Sequence, residues 1–419
     1  MNNNSNYINP ARETALWRNS NVCVIGTSGS GKTSTELVPY IKSTESSFIV
    51  ADTKRNLYDT YRDSLVARGY TVHLIDFTDP LRGEGYNPLD YIVTFKDRQG
   101  NILYDEKDIL SLATTLMPKF ASDDIFWEQS AIDYLAILIA YVCENFYGKE
   151  KNIANVTALY NYMISGIANG QIDFLEEYCL ERPYSLASKK YLAIRGTFAA
   201  EKMTSSIEMF VSRALSVYDL ESTKEMLSKP SSFNIEDIGR KKTAVFLNIS
   251  DNNSVLYPLV NTFYTQCFQK LLAAADKEPN SRLKVPTRIL LDDFASNFMI
   301  PDFDKLISII RSRGISTTVI LQSVTQLEGL YGPSRASTIL MNCDTLRYLG
   351  GCDLSTCSYI AQRLGKPIEQ ILSLPLDMGY RLVRGERPVM QEKRLLFGEP
   401  SCDKSSDKSI KNNEERSLK

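Results

Sequence analysis

The chain has 419 residues, 43% of them hydrophobic and 23% charged, with a formal net charge of −2. This is an ordinary globular composition long enough for two or three units of domain size, and with no global basic field it argues against a simple DNA-coating protein. Eight scattered cysteines without metal-type spacing and a single histidine, His73, argue against a zinc site and for reduced thiols in a cytosolic setting.

In chain order, the polar start "MNNNSNYINPARE" carries no signal-peptide pattern. The apolar run "NVCVI" reads as a short buried strand, and "GTSGSGKT" (26–33) follows it with the full G-x-x-x-x-G-K-[ST] spacing. Gly26, Gly29 and Gly31 remove the Cβ obstruction and permit positive φ, so that successive N–H groups converge on one anion. With Thr27, Ser28, Ser30 and Ser34 they form a phosphate cradle, in which Lys32 adds a point charge to the β and γ phosphates and the Thr33 hydroxyl ligates Mg²⁺. ATP with Mg²⁺ is the cofactor pair this loop predicts. A helix is expected to start there with its N-terminus towards the anion, shortened or bent by Pro39.

"SFIVADTKRN" and "TVHLIDF" read as further strands, with Asp52 and Lys54 at a strand end and His73 as a half-buried strand residue. From about Glu106 to Leu227 the strand patterns give way to helical periodicity, and the apolar run "YLAILIAYVC" (134–143) is too short to span a bilayer. Strands return at "TAVFLNIS", "TRILLDDF", "STTVILQS" and "TLRYLGG", with helices starting near Val255, Asp302 and Ser355. Alternating strands and helices make a parallel sheet with its ligand at the strands' C-terminal ends. The organisation expected is one α/β nucleotide-binding domain in two parts, 1–105 and 233–398, split by an all-α insertion at 106–232 and followed by a disordered tail at 399–419.

Hydrolysis needs more than a cradle. The buried run 289–291 delivers Asp292 and Asp293 at a strand end, the first placed for Mg²⁺ and the second for orienting or deprotonating the attacking water. Gln322, ending the next strand, is an amide placed to sense the γ-phosphate or the water. Between them, Arg311 and Arg313 sit two apart near a helix end, so one of them at most faces a phosphate, as an arginine finger supplied to a neighbouring subunit.

Four patches in order resemble the type IV secretion coupling proteins, the TraG/TraD-type conjugation ATPases. They are "NVCVIGTSGSGKT" with "VPYI"; "VADTK" with "GYTVHLIDF" and "GYNPLDYI"; "RILLDDFASNFMIPDF" with "IIRSRGIS" and "ILQSVTQLEGLYG"; and "NCDTLRYLGGCD" with "IAQRLGK". The resemblance implies a RecA-like P-loop NTPase with a parallel-rich sheet, assembling as a homo-hexamer that drives single-stranded DNA with its attached relaxase from the relaxosome into the secretion channel. It gives Lys32 and Thr33 to nucleotide and Mg²⁺, Asp292 to the metal, Asp293 to water, Gln322 to sensing and Arg311 to the contact between subunits. It also implies a place at the cytoplasmic face of the cell membrane, although the chain as given reads as soluble. Three departures accompany it: Asp293 stands where the family has Glu, "DTKRN" stands for D-P-K-G-E, and the chain starts almost at the phosphate loop where relatives begin with transmembrane helices. Alternatives on the same fold are a DNA segregation or packaging translocase and a nucleotide-gated adaptor that does not hydrolyse.

Overall fold

The computed structural model describes residues 18–117, 125–168, 174–195, 201–250, 252–294 and 299–395. The tail expected at 399–419 lies outside the described residues.

β-Branched and aromatic runs give eleven strands among the described residues: β1 (Val22–Ile25), β2 (Ser47–Asp52), β3 (Thr71–Asp76), β4 (Thr94–Lys96), β5 (Ile102–Tyr104), β6 (Thr243–Asn248), β7 (Thr287–Leu291), β8 (Ile315–Leu321), β9 (Thr345–Tyr348), β10 (Met378–Val383) and β11 (Val389–Glu392). Nine of them form one sheet in the order β11-β10-β9-β1-β8-β7-β2-β6-β3, and β4 pairs with β5 in a separate hairpin. From β9 to β3 all neighbours are parallel, while β10 runs antiparallel to both β9 and β11. β1, β2 and β6 are buried along their whole length, as strands covered on both faces must be. The fold is α/β, with a large and mostly parallel sheet.

On one face Val24, Phe48, Val50, Phe246 and Leu290 pack under the helices Val38–Ser43 and Leu57–Ala67. On the other, Ile25, Ile49, Ile75 and Leu247 belong to a core that runs without a break through the helix Tyr257–Asp276 into the helical segment. That segment holds the helices Glu106–Leu116, Ile125–Asn145, Ile153–Ala168, Phe174–Glu181, Leu186–Ile194, Glu201–Leu215 and Glu221–Ser228, with no strand among the described residues between Tyr104 and Thr243. At its centre, the unbroken buried run 134–140 is apolar on every side of its helix, which suits a helix enclosed by others. Polar ties fix the join. Tyr86 Oη donates to Gln266 Oε1 at 2.7 Å, and Lys270 Nζ lies 3.0 Å from Asp108 Oδ2.

The helix after the loop departs from a regular α-helix in its first turn. Thr33–Leu37 is a π-turn closed by Val38 N donating to the Thr33 carbonyl, and the α-helix begins only at Val38. Pro39 has no N–H for an i−4 bond and its ring crowds that carbonyl, so the wider turn accommodates it. His73 is half-buried, stacked on Phe233 with its Nδ1 2.9 Å from Glu84 Oε2. The described cysteines are free and, except for Cys352, buried. None of the described helices is long and apolar enough to cross a membrane.

Candidate functional site

The loop 26–33 leaves β1 at the C-terminal edge of the sheet, where β8 and β9 flank it. Both neighbours hold it: Gly26 N donates to the Leu321 carbonyl at 3.1 Å, and Thr27 N to the Gly350 carbonyl at 3.2 Å. At Gly26 a side chain has no room, since a Cβ would lie 2.4 Å from Ser30 Oγ and 2.9 Å from Leu349 Cβ. Gly31 has φ +92, in the region L side chains rarely adopt, and its carbonyl accepts from Thr35 N at 2.9 Å to start the helix.

Lys32 is buried, and its Nζ donates to the carbonyls of Gly26 at 3.0 Å and Thr27 at 3.2 Å. The same ammonium lies 3.7 Å from Asp293 Oδ1. The sheet order explains this meeting across some 260 residues, because β7 ends at the twin aspartates and only β8 separates it from β1. At the end of β8 sits Gln322, whose Nε2 donates to Asp293 Oδ1 at 3.3 Å. Lys32, Asp293 and Gln322 therefore form one connected group.

Asp292 lies just behind, 5% exposed, its Oδ1 accepting from Asp293 N at 3.1 Å. Burial pushes its carboxyl up to about 7 and the negative charge of Asp293 adds to this, while Lys32 and Lys54 oppose it. Asp293 itself has φ +45, a left-handed conformation that Asp tolerates better than most residues. It turns the chain sharply after β7, separating the environments of two adjacent acids.

Within one chain, Arg311 and Arg313 do not join this group. They occupy the turn Ile310–Arg313, which precedes β8, so the seven residues of that strand put them at the opposite edge of the sheet. At about 3.3 Å per residue the separation is on the order of 20 Å. Arg313 Nε instead lies 3.2 Å from Asp276 Oδ1.

Two further residues join the site, to neither of which spacing alone assigns a role. Lys54, at the end of β2, acts on Asp292 electrostatically, and Gly350, after β9, receives the loop's backbone. Inside the loop Ser30 Oγ is buried without a hydrogen-bond partner, a donor that a phosphate would satisfy. With an ammonium resting on loop carbonyls and an orphaned hydroxyl inside it, the cradle fits a phosphate group.

Residues 4–373 match the family described as "Type IV secretory system Conjugative DNA transfer". "Conjugal transfer protein TraG" of Rhizobium radiobacter is 25% identical over 368 residues, covering 82% of this chain and 52% of that protein. "Protein VirD4" of Rhizobium rhizogenes is 26% identical over 137 residues, 32% of this chain and 20% of that one. The chain thus spans about half the length of the TraG relative. Among solved structures, the bacterial conjugative coupling protein TrwBdeltaN70 in complex with sulphate superposes with a TM-score of 0.66 at 16% identity, over 89% of this chain and 85% of that one. TrwB in complex with the ATP analogue ADPNP gives 0.64, again at 16% identity, over 89% and 84%. This likeness places the chain in the RecA-like P-loop NTPase fold. With the fold and 370 contiguous residues matched, the chain belongs to the type IV secretory system conjugative DNA transfer family of coupling proteins.

Proposed function

We propose that the chain is an ATP-driven motor that delivers single-stranded DNA, with its attached relaxase, from the relaxosome to the channel of a conjugative type IV secretion system. The observation that carries this is the 3.7 Å approach of Lys32 to Asp293, which puts a phosphate cradle and an acid pair, one of the two buried, in one site. TrwB is described in complexes with ADPNP and with ADP and Mg²⁺, which supports the same cofactors here.

In this reading Gly26, Thr27, Ser28, Gly29, Ser30, Gly31 and Ser34 hold the phosphates, and Lys32 neutralises charge on them. Thr33 and Asp292 would hold Mg²⁺, which supplies charge neutralisation for phosphoryl transfer when bound. Ionised Asp292 is disfavoured by burial, so a cation beside it would be welcome there. Asp293, held from two sides by Lys32 and Gln322, orients the attacking water, and Gln322 links that acid to the end of β8. Arg311 lies too far from the loop of its own chain, so its role requires the next subunit of a homo-hexamer. The domain arrangement follows: 1–105 and 233–398 build the motor, and 106–232 forms a helical insertion that receives substrate. Location at the cytoplasmic face of the membrane belongs to the same reading.

Phosphate release from ATP, measured with and without single-stranded DNA, tests it. Hydrolysis should rise with DNA, and Lys32→Ala should lower it by at least about a hundredfold, the scale set by losing a charge on the transferred group. Hydrolysis indifferent to DNA, or surviving that substitution, would sink the motor reading.

A further inference from the structure

A second lysine reaches the phosphate loop from outside. Lys393, in the turn that follows β11, donates from Nζ to the Ser30 carbonyl at 2.9 Å. Its backbone is fixed by Lys393 N donating to the Asp377 carbonyl at 2.8 Å, which prolongs the pairing of β10 with β11 beyond Met378 and Glu392. The side chain is therefore delivered by the edge of the sheet, not by a wandering terminus. Lys393 also lies beyond residue 373, where the family match ends.

The Ser30 carbonyl and the Gly31 N–H are the two ends of one peptide group, in the middle of the cradle. An ammonium on the oxygen polarises the whole group and makes its N–H a stronger donor to an anion on the inner side. Burial holds the Lys393 ammonium below its ordinary value, with Asp377 opposing, and partial desolvation strengthens a charge-assisted bond of this kind. Lys32 holds the loop through the Gly26 and Thr27 carbonyls, and Lys393 through Ser30, so the two cations grip opposite arms of the same turn.

We propose that Lys393 is a positioning residue for nucleotide binding: a brace from the β10–β11 hairpin that presets the Ser30–Gly31 peptide for the phosphates. The inference rests on the nucleotide reading above, and assigns to this hairpin control over affinity without a part in the chemical step. A shift of the hairpin at the sheet edge would change the grip on nucleotide directly.

The test is titration of the full chain with a fluorescent ADP or ATP analogue and Mg²⁺, alongside steady-state hydrolysis. Lys393→Met should weaken nucleotide binding and raise KM by about tenfold, with kcat within about twofold, and Lys393→Arg should restore most of the affinity. Thermal melting without nucleotide should be unchanged in both variants, which separates a brace on the loop from general support of the fold. Wild-type affinity in K393M, a fall in kcat at constant KM, or no rescue by Arg would overturn the proposal. Absence of binding by the unaltered chain would instead bring down the nucleotide reading and this inference together.

Discussion

Two buried carboxylates near the phosphate loop differ in what surrounds them. Glu36 lies on the π-turn below the loop and Asp292 at the end of β7 beside it, and burial pushes each up to about 7. Glu36 accepts from Arg347 Nη1 of β9, with both side chains almost wholly buried and Arg288 near enough to add its charge. Asp292 has another acid as its immediate neighbour, and its nearest cations, Lys32 and Lys54, act from a distance. The first carboxylate is partly compensated and ties the turn to the sheet, although its Oε1 is buried without a hydrogen-bond partner; the second is crowded by like charge beside the phosphate loop. A perturbed carboxyl therefore marks a site only where its neighbours leave the charge unanswered.

Removing the compensation should have the largest effect. Arg347→Met leaves the Glu36 carboxyl in a dry interior without its guanidinium, and should cost about 3 kcal/mol at pH 8 in a denaturant titration. The sign with pH follows from linkage. Glu36 is already raised in the folded chain, so stability is fully present below its unfolded value and falls as pH rises through about 7. Without Arg347 the folded value climbs further, and the variant should lose stability over a wider and more alkaline range than the wild type. Equal costs at pH 5.5 and pH 8 would mean that Arg347 acts by packing alone.

Asp292 should respond the opposite way. Asp292→Asn keeps an oxygen for the Asp293 N–H and removes a charge that burial and Asp293 both disfavour. The wild-type penalty is absent below the unfolded value, grows as pH rises, and is complete above about 7. The variant should therefore gain about 2 kcal/mol over wild type at pH 8 and almost nothing near pH 4, while losing nucleotide hydrolysis. A neutral or destabilising D292N at pH 8 would show that Asp292 is better compensated than its neighbours imply.

Much of this architecture is legible along the chain, because short β-branched runs bounded by turn residues favour strands. "NVCVI", "SFIVAD", "TVHLIDF", "TAVFLNIS", "TRILLDDF", "STTVILQS" and "TLRYLGG" all fall on strands of the main sheet, and the helices expected near Val255, Asp302 and Ser355 begin at Tyr257, Phe303 and Leu354. β4, β5 and β11 escape a periodicity reading because they are only three or four residues long and partly or wholly exposed, leaving no buried face to set a pattern. The cradle, the aspartates and Gln322 each sit at the end of a readable strand, so motif spacing finds them. Lys54 also follows a readable strand, but its effect on Asp292, like the reach of Gly350 and Lys393 into the site, depends on strand order. No spacing in the sequence encodes that β9 lies beside β1 or that a hairpin closes the sheet edge.

The smallest expected effect concerns the acid that touches Lys32. Asp293 is one methylene shorter than the glutamate that the family resemblance leads one to expect, which would set a carboxylate further from the reacting water. The geometry supplies a compensation: φ of +45 turns the backbone at this residue, and the short side chain already lies 3.7 Å from Lys32 Nζ and accepts from Gln322. A glutamate there would have to fold back to keep both contacts, and would tolerate the left-handed backbone less well than aspartate, at a cost of about 0.5 kcal/mol. Asp293→Glu should therefore leave DNA-stimulated turnover within about threefold of wild type, with a slightly lower melting temperature. A gain above about tenfold at unchanged KM would show that side-chain length, not backbone geometry, limits the acid. The chain would then be a slowed motor.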